Sequence, residues 1–163
     1  PMIKYQPSNN KQNIYVIGLF LLTLLFSQIN IPFISSGSLP DYLVAWSVGV
    51  MLLNNKQYGI LTIFFAGLIA DILIGQIIGQ YAFTFILTYA ILFFIQKMFA
   101  IQSYKQRTIT GIILVIVALL TTNITSTTYQ TNFHETSIVL KLITTIITFL
   151  VYQLIIYIKL KEN

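Results

Sequence analysis

Asp71 lies in the run Gly67-Leu68-Ile69-Ala70-Asp71-Ile72-Leu73-Ile74-Gly75, and glycines stand four residues before it, four after it and eight after it, at Gly67, Gly75 and Gly79. A carboxylate in such a run needs a physical reason. Near the middle of a membrane span an acid costs about 2.5 to 3.5 kcal/mol on insertion scales, so it normally faces protein or water. Residues four apart share one slowly drifting helix face, and Gly59 falls eight before Gly67 on the same ladder. Small residues at that spacing let a second helix approach closely. The sequence therefore predicts a helix-packing or partner-binding face of Gly59, Gly67, Asp71, Gly75 and Gly79, with the acid aimed into a tight contact. There it either accepts hydrogen bonds or is held in its protonated form. Three roles fit: a structural acid bonded to side-chain or backbone donors, an acid that meets a partner or ligand, and a member of a proton relay. A relay generally needs several intramembrane acids or histidines in series, and Asp71 stands alone within its span.

The surrounding elements are those of a membrane protein. Of 163 residues, 56% are hydrophobic and 8% charged, against about 25% charged in soluble domains. Apolar runs fall at about Ile14 to Phe33, Pro40 to Leu53, Tyr58 to Ile78, Tyr81 to Met98, Ile109 to Thr127 and Ile138 to Ile158. Spans need about 20 residues to cross a hydrocarbon core of about 30 Å. The expectation is an all-α, polytopic chain of six transmembrane helices in one compact domain over residues 1–163. Pro1 ahead of Met2 reads as a protease-cleavage remnant. The first span shows no small-residue cleavage pattern and should remain as an anchor. The second run is short; Pro40 suits the first helical position, and Asp41 beside it can interact with the helix N-terminus.

Charge predicts the orientation. With a cytoplasmic N-terminus, the cytoplasmic segments hold Lys4, Lys11, Lys56, Lys97, Lys105, Arg107, Lys159 and Lys161, and the outer loops hold Asp41 and Glu135. That satisfies the positive-inside rule and places both termini in the cytoplasm. Lys141 alone dissents, and its long side chain can snorkel to the headgroups. Tyr15, Tyr42, Tyr58, Tyr81 and Tyr157 are expected at the membrane interfaces. The net charge of +5 comes from scattered lysines better matched to anionic lipid than to nucleic acid.

Other polar residues suggest helix contacts. Ser27, Gln28 and Asn30 close the first span and can face Asp71, so Gln28, Asn30 and Asp41 are secondary polar contacts. The run Thr121 to Thr128 can satisfy the last carbonyls of the fifth span. Asn132-Phe133-His134-Glu135 has the spacing of a capping arrangement. His134 is the only histidine and cysteine is absent, so neither a histidine-rich metal site nor thiol chemistry is expected. No cofactor motif, Gly-x-Ser-x-Gly elbow, Walker loop or paired catalytic carboxylates occur. The inventory does not describe an enzyme.

From Pro40 to about Gln106 the sequence resembles the rod shape-determining membrane protein family MreD. The resemblance rests on the joint spacing of Pro40-Asp41, Gly59, Gly67-Leu68, Asp71, Gly75, Gly79 and Tyr89. It implies a non-enzymatic inner-membrane subunit of the bacterial elongation machinery, beside MreC and in a wider complex with MreB, RodA and PBP2 that directs peptidoglycan synthesis. It also implies a six-helix fold similar to the substrate-binding S components of energy-coupling-factor vitamin transporters, which supplies an alternative function. Against that alternative, the first span reads Gly18-Leu-Phe-Leu-Leu-Thr-Leu-Leu-Phe-Ser27 and lacks the Ala-x-x-x-Ala docking pattern of those subunits. Its outer loops are also short.

Overall fold

The computed structural model describes residues 10–28, 39–53, 59–74, 78–99, 104–129 and 138–161, with side chains described within 14–28, 39–53, 59–74, 78–99, 104–125 and 138–155. Gly75, Asn30, Tyr58 and the Asn132 to Glu135 segment with His134 lie outside the described residues, as does the side chain of Tyr157. The described chain is all-α: α1 (Asn10–Ser27), α2 (Tyr42–Met51), α3 (Ile60–Ile74), α4 (Gln80–Met98), α5 (Tyr104–Tyr129) and α6 (Ile138–Lys161). Three of these, α4, α5 and α6, are long and apolar enough to cross a membrane, and α1, α2 and α3 contain shorter apolar helices.

Helix bounds depart from the apolar runs where polar residues are good helix formers. α1 begins at Asn10 and α5 at Tyr104, before the apolar runs that start at Ile14 and Ile109. Lys and Gln, which fill those turns, propagate a helix almost as well as Leu. Conversely, α2 is only ten residues long, about 15 Å. Leu43 through Leu52 are all buried, as expected of a helix that is apolar all round. It is the centre of the bundle, in contact with α1, α4, α5 and α6. Pro40 is not the first helical residue. It precedes Asp41, which is the N-cap.

The outer helices bury one stripe each. On α6 the buried positions are Thr145, Phe149, Tyr152 and Gln153, while Ile143, Ile147, Leu150, Val151 and Leu154 are exposed. That is helical periodicity, with an apolar outer face suited to lipid. On α1, the Phe20 ring packs at 4.6 Å between centroids against Trp46 of α2, whose indole N–H donates to the Val16 carbonyl at 3.3 Å. Between α5 and α6 the contact is tighter. A Cβ added to Gly111 would collide with the Phe149 ring and stand 2.8 Å from Leu52 Cδ1.

Helix direction sorts the polar groups into two ends. Asp41, Asp71, the start of α4 and the start of α6 share one end, joined by the contacts described below. The opposite end receives the start of α1, the junction of α4 with α5 and the end of α6, carrying the positions Lys11, Lys97, Lys105, Arg107, Lys159 and Lys161.

Candidate functional site

Helix α4 begins without a side-chain cap of its own. Its N-cap is Gly79, at φ 97°, with no side chain to bond the first-turn amides. A helix start leaves four N–H groups without intrahelical partners, and a positive φ of this kind favours glycine. The first turn is instead served by Asp71 from α3. Asp71 Oδ1 accepts the Tyr81 N–H at 2.8 Å. Its Oδ2 accepts the N–H groups of Gly79 at 3.0 Å and Ala82 at 3.2 Å. Tyr81 and Ala82 are the second and third helical residues, the same donors that an N-cap side chain ordinarily serves. Asp71 therefore caps the neighbouring helix. Its negative charge also lies at the positive end of the α4 dipole.

Gly67 sets the distance that makes this cap reachable. A Cβ at Gly67 would lie 2.6 Å from Ala82 Cα and 2.7 Å from Ala82 N. Only a hydrogen in that place lets α3 come this close to the first turn of α4. Asp71, one helical turn later and fully buried, then reaches three amides with a side chain of only two carbons. The other glycines differ. Gly79 supplies the left-handed residue at the turn. Gly59 precedes α3, and nothing lies within 4 Å of where its Cβ would be. Within the described part of the ladder, Gly67 and Asp71 pack α3 on α4 of the same chain, and Gly59 takes no part.

Asp41 builds a second junction from the same residue of α4. Its Oδ1 accepts the Val44 N–H at 3.2 Å, capping α2. Its Oδ2 accepts the Tyr81 hydroxyl at 3.2 Å and stands 4.0 Å from Lys141 Nζ. Its backbone N–H donates to Thr145 Oγ1 at 3.0 Å, and that hydroxyl donates to the Lys141 carbonyl at 2.7 Å. Tyr81 thus joins the two acids, giving its amide to Asp71 and its hydroxyl to Asp41. Four helices, α2, α3, α4 and α6, meet through these three side chains and Lys141.

Several sequence expectations are corrected here. Tyr81 turns its ring into the bundle and is 9% exposed, with its hydroxyl on a buried acceptor in Asp41. Lys141 has a partner that the sequence did not reveal, its ammonium standing 4.0 Å from Asp41 Oδ2 while its side chain stays 37% exposed. Ser27 and Gln28 do not bond Asp71. Ser27 Oγ donates to the Leu24 carbonyl of its own helix, and Gln28 Nε2 donates to the Leu73 carbonyl at 3.3 Å, tying α1 to the end of α3. Of the run Thr121 to Thr128, the described threonines Thr121, Thr122 and Thr125 donate backwards to carbonyls three or four residues earlier, as in Thr121 to Val117 and Thr122 to Leu119. These three lie inside a helix that continues to Tyr129 and do not serve its last carbonyls, while the side chains of Ser126, Thr127 and Thr128 lie outside the described residues. Gln80 adds a contact the sequence did not reveal, its Nε2 donating to the Thr122 carbonyl at 3.0 Å.

One signal for the Asp71 contact was present in the sequence. The stretch before α4, Gln76 to Gln80, contains no Ser, Thr, Asn or Asp, so the helix lacks the usual local cap. A missing cap beside an unexplained acid on the preceding helix is a reason to pair them. Chemically, the arrangement spends its acids on backbone amides, a hydroxyl and an ammonium. Among the described residues there is no group of three or more His, Cys, Asp or Glu placed to hold a metal.

Against known families, the model of the rod shape-determining protein MreD matches residues 9–162. The chain belongs to the MreD family. No curated protein and no solved structure matches it. MreD membership makes this a non-enzymatic membrane protein of cell-shape determination, and its apolar helices agree with a multi-pass protein. The Asp41, Asp71 and Tyr81 junction is therefore a feature of how this MreD chain holds its helices together.

Proposed function

We propose that this chain is a scaffold and regulatory subunit of the rod complex, acting through MreC and, in the wider assembly, MreB, RodA and PBP2. It would sit in the bacterial inner membrane as one six-span domain with both termini cytoplasmic. Asp71 is the observation that carries the scaffold reading: both of its oxygens are occupied by α4 amides of the same chain. A group so used fixes a shape and is not presented to a substrate. The clustering of basic positions at one end supports the orientation through the positive-inside rule.

The alternative, a vitamin-binding S component, has less support. Asp41 and Asp71, the described carboxylates at the end opposite the basic positions, are bonded within the chain. Neither is held ready for a ligand.

Gentle purification of the tagged protein from its host membrane, followed by mass spectrometry, tests the proposal. Recovery of MreC and the wall synthases is the expected result. Recovery of an ATPase pair with a large transmembrane coupling protein would overturn it in favour of the transporter reading.

A further inference from the structure

We propose that the end of the bundle formed by the last turn of α4 and the first turn of α5 is a binding surface for anionic phospholipid headgroups. The two helices pack on one another and only residues 99–103 separate the end of α4 from the start of α5 in sequence, which brings their cations to one end of the bundle. Lys97 lies in the last turn of α4, and Lys105 and Arg107 lie in the first turn of α5. Lys97 and Lys105 are exposed and Arg107 is half-buried. Among the described residues the carboxylates are Asp41 and Asp71, which lie at the opposite end and have their own partners. The patch thus carries three positive charges with no described acid to neutralise them.

The apolar neighbours identify the occupant. Met98 is 75% exposed, Phe99 64% and Tyr104 44%. Phe99 leaves the helix with extended backbone at φ −127° and ψ 125°, while its N–H still bonds the Ile95 carbonyl at 2.8 Å. The ring is therefore carried by an anchored residue two positions after Lys97. Cations interleaved with exposed aromatic and thioether side chains match a bilayer boundary, where rings enter the acyl margin and ammonium groups meet phosphate. Arg107 adds a fork that can hold two phosphate oxygens. A soluble acidic protein would match the charge but leave the apolar groups without a reason. This inference does not depend on which partners the chain recruits, or on which side of the membrane the patch faces.

The full-length protein, purified in uncharged detergent and supplied with equal amounts of phosphatidylglycerol and phosphatidylcholine, gives the test by native mass spectrometry. Preferential retention of phosphatidylglycerol is expected, falling roughly two- to five-fold for each of Lys97→Gln, Lys105→Gln and Arg107→Gln. The preference should also weaken in high salt, which screens exposed charges. The triple variant should lose it with its thermal unfolding unchanged. Equal retention of the two lipids by the wild type would overturn the proposal, and needs no variant to fold. An intact preference in a folded triple variant would also overturn it, as would displacement of the lipid by inorganic phosphate alone, which would mark a simple anion site. Loss of a bound acidic protein in place of a lipid preference would do the same.

Discussion

Asp71 and Tyr81 are ten residues apart on different helices, and the carboxylate of one accepts the backbone N–H of the other at 2.8 Å. The side chain of the same tyrosine then donates to Asp41 at 3.2 Å. One residue at the start of α4 is thereby held from two directions, by α3 through its main chain and by α2 through its ring. Stability of the α4 start should depend on residues that lie on other helices.

Substitution of Asp71 is expected to destabilise the bundle even when the replacement is close in size. Asp71→Asn places an amide NH2 where one carboxylate oxygen accepted an N–H, leaving buried donors facing a donor. Each buried group left unsatisfied costs about 1–3 kcal/mol. Thermal unfolding in detergent should show Asp71→Asn clearly below wild type and Asp71→Ala lower still. Because Asn cannot supply two acceptor oxygens, its effect does not by itself reveal a role for charge.

Gly67 and Gly59 should respond oppositely to the same change. Gly67→Ala introduces a Cβ against the Ala82 backbone, and overpacking of this kind costs about 1–3 kcal/mol. Gly59→Ala enters open space and should stay within about 0.5 kcal/mol of wild type. Since Gly67 sets the reach of Asp71, Gly67→Ala and Asp71→Asn should be non-additive in a double-mutant cycle. Strict additivity would separate the close approach from the cap.

Around Asp41, losses should rank by burial. Tyr81→Phe removes a buried hydroxyl donor and should cost about 1 kcal/mol. Lys141→Met removes a partly exposed partner at 4.0 Å and should cost less than about 1 kcal/mol. Asp41→Ala removes the α2 cap and both contacts and should cost most. Chemical unfolding of the three variants checks the order.

How far the sequence could be read depended on whether a signal was local. Apolar runs revealed six helices, and the start of α4 was placed within one residue because glycines and glutamines interrupt the pattern there. The four-residue spacing pointed to a close helix approach, and at Gly67 that approach is made to α4. Identity of the acid's partners was less accessible, since backbone amides carry no residue signature. The inward turn of Tyr81 and the pairing of Lys141 with Asp41 depend on contacts across 40 and 100 residues; hydropathy carries no sign of either. Gly111 was invisible for the same reason, because its need for space is created by Phe149 on another helix.

Topology is directly testable because the chain contains no cysteine. Single cysteines at Gln102 and at Glu135 should label from opposite sides of sealed membrane vesicles, with position 102 cytoplasmic. Labelling of both from one side would contradict the proposed orientation and span count.

The most direct test of the cap between helices is amide hydrogen exchange by NMR in micelles. Gly79, Tyr81 and Ala82 should be protected in the wild type to nearly the level of the α4 interior. In Asp71→Asn that protection should fall at these residues while Phe85 and Thr88 remain slow. If the three amides exchange equally in both proteins, Asp71 does not hold the start of α4, and its burial must have another cause.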